Sequence, residues 1–212
     1  MDTIAVNLCR SLVLQMTCED IAALEAESQK EVKNGSFKLL DILHHFSAGM
    51  KALGTEAVYV GVDELRQACG GAGFLLSSSI ADSWNEVAPF PTYEGVNVIM
   101  YQQSSRMIFK MAEKLKQGKD VIDFFSYLGK TDQLLSTPSG ATSVEAFLDA
   151  DHIERALATR AAYFVRKVHQ MLSESTAPSK TKQNDLFAIE VNRMTKLHLI
   201  YIMYSRARAK IA

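Results

Sequence analysis

Cysteine is scarce and odd in number, with only Cys9, Cys18 and Cys69, and none of these pairs has metal-ligand spacing. A disulfide framework and a cysteine-held metal site therefore drop out, and reduced thiols in an intracellular protein are expected. An excess of one charge is also missing. Twenty-three basic side chains meet 24 acidic ones for a formal net of -1, so no molecule-wide field recruits nucleic acid or an anionic membrane. Long apolar runs are absent as well: the longest, Leu197 to Tyr204, contains His198 and falls far short of the roughly 20 residues needed to cross a bilayer. The apolar start of the chain is preceded by Asp2, broken by Arg10 and followed by Glu19 and Asp20, which makes a poor signal peptide. The last residues, Lys210-Ile211-Ala212, do not match a Ser-Lys-Leu peroxisomal address. No targeting signal is recognisable.

Strand patterns are missing too, because β-branched runs with period-2 alternation do not occur. What the chain has instead is 212 residues, 48% of them hydrophobic, enough for a sizeable core in one large domain or two small ones. Apolar residues recur three and four apart through almost every long segment, so the expected class is all-α, a helical bundle. A first helix is expected over much of 2–33, ended by Asn34-Gly35, with Ser36 opening the next. The stretch 37–69 carries one apolar face through Leu39, Leu43, Phe46, Met50, Leu53 and Val60. Gly49, Gly54 and Gly61 lie inside it, which means either that another backbone packs closely or that the helix is kinked or broken.

Gly70-Gly71-Ala72-Gly73 must stop that helix. Pro89 and Pro91 enforce an extended approach to Thr92-Tyr93, and the next helix is expected to begin near Glu94 and end at Gly118. Thr142 and Glu145 read as a capping box for a helix running to about Ser175. Pro138 and Gly140 mark the polar stretch 130–142 as a linker. The expected organisation is a first bundle over 1–129 and a second, apparently truncated, helical segment over 143–212.

Two constellations could carry chemistry. A glycine cluster after a helix is ordinarily a cap and turn, but it also lets main-chain N–H groups approach a phosphate without a Cβ in the way. It lacks the strand and crossover of a Rossmann fingerprint. Glu94 at a helix start ordinarily just complements the helix dipole. Pro91 before it, Tyr93 as an aromatic wall and Gly95 giving access to a planar group also suit a positioned general base. The five histidines form no site by spacing.

The order Ser47-Ala48-Gly49-Met50-Lys51-Ala52-Leu53, Arg66-Gln67-Ala68-Cys69-Gly70-Gly71-Ala72-Gly73-Phe74, Tyr93-Glu94-Gly95-Val96-Asn97, then Gln103 and Arg106 resembles the acyl-CoA oxidase family, specifically its C-terminal helical half. The diagnostic part spans 47–110. The resemblance implies that Glu94 removes the pro-R α-proton of a fatty acyl-CoA while the β-hydride moves to flavin N5, with O2 then reduced to H2O2 in fatty acid β-oxidation. It implies that Gly70, Gly71 and Gly73 help bind FAD, much of it across a subunit interface, with Tyr93, Gly95 and Asn97 also at the cofactor site. It further implies a homo-oligomer or protein partner, and the peroxisome or mitochondrion as compartment.

Ala72 and Phe74 stand where that family usually has histidine and tyrosine, and Val96 and Val98 where polar cofactor-binding residues usually follow Glu-Gly. The chain is also too short to be a whole enzyme of that kind. The expected function is therefore part of a flavin-dependent acyl-CoA oxidase, inactive as this chain alone. The alternative is a non-catalytic helical scaffold or interaction subunit derived from the same fold.

Overall fold

Residues 2–211 are described by the structure, a computed structural model. Met1 and Ala212, which belong to the N-terminal stretch and C-terminal tripeptide read above, lie outside the described residues. Helices supply the regular structure and no strand occurs among the described residues, so the chain is all-α. It divides into two compact units, Met1–Met100 and Tyr101–Ala212.

In the first unit α1 (Asp2–Lys33) packs along α2 (Lys38–Ala68). Asn34-Gly35 ends α1 as expected, but Ser36 does not cap α2. Its hydroxyl donates to Glu31 Oε1 at 2.8 Å, and the Leu39 amide donates to Glu31 Oε2 at 2.7 Å. A carboxylate from the preceding helix thus satisfies the first turn, where the helix dipole favours negative charge. The Leu39 amide first, and the Ser36 hydroxyl after it, hold the Glu31 carboxyl below its usual range.

The α2 helix is unbroken through Gly49, Gly54 and Gly61. A Cβ on Gly61 would collide with the Asn7 side chain, and one on Gly54 would touch Leu14 at 3.6 Å. Close approach of α1 is therefore the reason for small residues there. Ile42, Phe46, Met50 and Leu53 are buried along α2, and each such side chain contributes about 1.5–3 kcal/mol when fully buried. Short 3-10 helices at Gly70–Gly73 and Leu76–Ser78 lead into α3 (Ile80–Val87), which packs back on α2.

The helix α4 (Asn97–Lys116) contains the division between the units. In the second unit a 3-10 helix (Asp123–Lys130) precedes the short helices α5 (Thr131–Ser136) and α6 (Val144–Leu148). Next come α7 (Ala150–Glu174), α8 (Ser179–Thr181), a π-helical turn (Lys182–Leu186) and α9 (Ala188–Ile211). The helix expected from Thr142 onward starts differently. Ser143, not Thr142, is the cap, accepting from the Ala146 amide at 3.2 Å. The helix then breaks at Asp149, whose backbone is extended and whose side-chain Oδ1 accepts the His152 amide at 2.9 Å, restarting it as α7. An aspartate that can bond two to three residues ahead competes with continuing the helix.

The core of this unit lies between α7 and α9. No residue of 197–204 is exposed, as its apolar surround requires. His198 is fully buried and stacks on Phe125 and Tyr127 at 5.0 and 5.8 Å. Its Nδ1 lies 2.8 Å from Tyr127 Oη. Burial, with Tyr201 adding to it, pushes the Tyr127 hydroxyl well above its usual range, so the phenol stays protonated and can donate to the ring. No helix of the described residues is long and apolar enough to cross a membrane. Removing one partner of a buried hydrogen bond costs about 1–3 kcal/mol. Tyr127→Phe is therefore expected to lower stability by about that much in urea unfolding, and an unshifted midpoint would contradict the assignment.

Candidate active site

The segment that carries Glu94 is a chain of tight turns. Phe90 N donates to Val87 O at 3.0 Å, and Thr92 N and Tyr93 N donate to Pro89 O at 2.9 and 3.2 Å. Glu94 and Gly95 then both take positive φ, 55° and 102°. The helix therefore begins not near Glu94 but at Asn97, whose amide donates back to Pro91 O at 2.9 Å. Two successive left-handed residues cannot lie on a right-handed helical path. Glycine takes such a φ without penalty, and at Gly95 a Cβ would also meet Met100 Cε at 2.6 Å. Glutamate does not, and the left-handed conformation costs it about 1–2 kcal/mol. A side chain held this way needs surroundings that enforce it.

Those surroundings come from the middle of α2. Lys51 Nζ donates to Gly95 O at 2.7 Å, to Phe90 O at 3.0 Å and to Asn97 Oδ1 at 3.0 Å. The Thr55 hydroxyl also donates to Asn97 Oδ1 at 3.1 Å, and Asn97 Nδ2 donates to Ala52 O at 2.9 Å. The turn is thus tied to α2 on both sides of Glu94.

Tyr93, Glu94, Gly95 and Asn97 are brought together here. Glu94 and Tyr93 are exposed, and the Tyr93 ring meets Phe90 edge-on at 5.5 Å. Asn97 instead points its amide into α2, with both ends engaged there. Val96 and Val98 are 43% and 50% exposed, an apolar rim beside the carboxylate.

The glycine turn is organised by the last turns of α2. A Cβ on Gly73 would collide with the Arg66 carbonyl oxygen, so only glycine fits. The Arg66 side chain donates to Asp63 Oδ1 through Nε at 3.0 Å and Nη2 at 2.6 Å, and lies over the Trp84 ring at 5.4 Å. Gly70 has φ 57°. Gly71 differs from both: its φ is not in the left-handed region, and a Cβ there would meet nothing within 4 Å. Nothing in this chain requires glycine at 71, and the space beside it is open to a group from outside.

The two clusters are not adjacent. Their anchors, Lys51 and Arg66, are separated along α2 by about 22 Å at ~1.5 Å rise per residue, so one small planar ring cannot touch both. A cleft of about 580 Å³ in the second unit, lined by Ser139, His152 and Arg155 among others, contains none of the predicted site residues. The residue that sequence reasoning passed over is Lys51. Its signal was there: a lysine between Met50 and Ala52-Leu53, all buried, in an otherwise apolar stretch, has to find acceptors.

Alanine substitution should separate the glycines. Gly73→Ala is expected to cost about 1–3 kcal/mol, since backbone must move. Gly71→Ala should be neutral or stabilising by about 0.5 kcal/mol through the unfolded chain. Equal losses in thermal unfolding would refute the distinction. Glu94→Asn, which tolerates a left-handed φ better, should raise stability by about 0.5–1 kcal/mol; a loss would mean the glutamate side chain itself supports the turn.

Comparison with known proteins gives the family of the chain. Residues 2–109 match the family model of the acyl-CoA oxidase C-alpha1 domain. Peroxisomal acyl-coenzyme A oxidase 1 of Arabidopsis thaliana is 34% identical over 125 residues, covering 59% of this chain and 19% of that protein. The crystal structure of an acyl-CoA oxidase from tomato (Lycopersicon esculentum) superposes with a TM-score of 0.88 at 26% identity, over 96% of this chain and 31% of that one. Acyl-CoA oxidase-1 of Caenorhabditis elegans, solved in complex with FAD and ATP, gives 0.76 at 25% identity, over 94% and 30%. The chain thus spans less than a third of the length of these relatives. With its family model covering the first helices, the glycine turn and the Glu94 turn together, the chain belongs to the acyl-CoA oxidase family, whose C-terminal helical part it matches.

Proposed function

We propose that this chain is the C-terminal helical part of a flavin-dependent acyl-CoA oxidase and that Glu94 is its general base. The observation that carries the reading is an exposed carboxylate held at an unfavourable φ by a turn tied to α2 on both sides. Strain of this kind persists where a side chain must be aimed. The base would take the α-proton of a fatty acyl-CoA thioester as the β-hydride departs. The two hydrogens lost from the acyl chain leave an α,β-enoyl thioester and, with O2, make up H2O2. The chemistry supplied by bound FAD is acceptance of that hydride and its delivery to oxygen.

For this chain's own residues, fit to FAD is uneven. The open side of Gly71 and the turn at Gly70–Gly73 suit close approach of a phosphate-bearing group. Exposed Tyr93 offers a ring to a planar one, whereas the side of Gly95 that a Cβ would take is filled by Met100. Asn97 serves the turn rather than a ligand, and acts on the site only through it. The distance between the clusters favours a site completed by a second copy or another domain. Exposed Phe74 and Leu76, at 77% and 69%, and the α1 stripe Ile4, Leu8 and Leu12 give such a partner apolar surface to cover. The compartment we propose is the peroxisome, which the name of the Arabidopsis relative carries.

A second reading, a helical scaffold that has given up the cofactor, is favoured by exposed Val96 and Val98 beside Glu94. The absorption spectrum of the purified native assembly separates the two, because only the first requires bound flavin. In a flavin-loaded assembly Glu94→Gln should lower peroxide production by at least about 10²–10⁴-fold while flavin stays bound, since glutamine keeps the shape but cannot accept a proton. Gly71→Ala should instead reduce flavin retention without loss of fold. Undiminished turnover in Glu94→Gln would remove Glu94 from the mechanism.

A further inference from the structure

The geometry points to Lys51 as the positioning residue of the proposed general base: its ammonium, bonded to Phe90 O, Gly95 O and Asn97 Oδ1, aims the Glu94 carboxylate. This rests on the reading of Glu94 as base. An ammonium has three N–H donors and no acceptor, and here all three are used. The two backbone acceptors lie on either side of Glu94, one four residues before it and one immediately after it. The third, Asn97 Oδ1, belongs to the first residue of α4, so the exit of the turn is fixed to the same nitrogen. Lys51 thus pins the backbone on both sides of a glutamate that it does not itself bond.

No other residue in the turn substitutes for it. Thr55 and Ala52 hold only Asn97, and the turn's own amide bonds run back to Val87, Pro89 and Pro91. Gly95 O, the carbonyl that follows Glu94, is reached from α2 by Lys51. The arrangement is specific to an ammonium. The planar guanidinium fork of arginine directs its donors in one plane and is a poor match for three oxygens converging on one nitrogen. A role that needed positive charge alone would accept arginine.

The test is a double-substitution cycle in the flavin-loaded assembly, with Lys51→Met and Lys51→Arg made in both the native and the Glu94→Gln backgrounds. Amide exchange over 90–97 is followed in the same proteins. A misplacement of about 1 Å can cost around 10²-fold in rate. Both Lys51 variants are expected to lose about 10- to 100-fold in kcat, with KM for acyl-CoA within about twofold and flavin retained. In the Glu94→Gln background the further loss should be under about twofold, because Lys51 acts through Glu94. Exchange at Tyr93 and Asn97 should rise while the centre of α2 stays protected.

Equal losses in both backgrounds would make Lys51 merely structural and overturn the inference, as would full rescue by arginine or unchanged exchange over 90–97. If Glu94→Gln alone leaves turnover intact, the general-base reading falls and the positioning role falls with it. The exchange data would then still report whether Lys51 holds the turn.

Discussion

A single ammonium group decides the conformation of the candidate site. Lys51 Nζ gathers two carbonyl oxygens and a side-chain amide oxygen from the Pro89–Asn97 segment, and hydrogen bonds to charged groups contribute about 1.5–3 kcal/mol each. That is enough to offset the roughly 1–2 kcal/mol that a left-handed glutamate costs. Without it, the prolines would still make turns, but nothing would fix the carbonyl that follows Glu94.

The long α2 helix is the frame on which everything in the first unit is measured. Its middle holds the Glu94 turn and its last turns hold the glycine turn. Its N-terminus is closed by Glu31 from α1, and its glycines let α1 approach. Because a helix is stiff and its rise fixed, the two clusters are kept apart rather than merged. A site that used both would have to extend over that distance.

In the second unit the organising element is buried rather than exposed. His198, stacked on Phe125 and on Tyr127 and linked to the Tyr127 hydroxyl, sets a polar ring inside the apolar stretch 197–204 of α9. The sequence presented this histidine as one of five without a site, and the structure buries it with its Nδ1 bonded to the Tyr127 hydroxyl.

Periodicity was sufficient for the class, since residues three and four apart in so many segments can bury a common face only as helices. The glycine and proline positions likewise located the two connections, because backbone sterics at those residues are local. The family resemblance, read from ordered runs, reached Glu94 and the glycines. The break at Asp149 rests on a bond only three residues long and lay within reach of local reading. Three things depended on side chains meeting from further along the chain: the capping of α2 by Glu31 instead of Ser36, the inward turn of the Asn97 amide and the Lys51 clamp. Hydrogen-bond partners 8 to 46 residues apart leave no trace in local spacing, so only the tertiary structure could decide what fixes Glu94 in place.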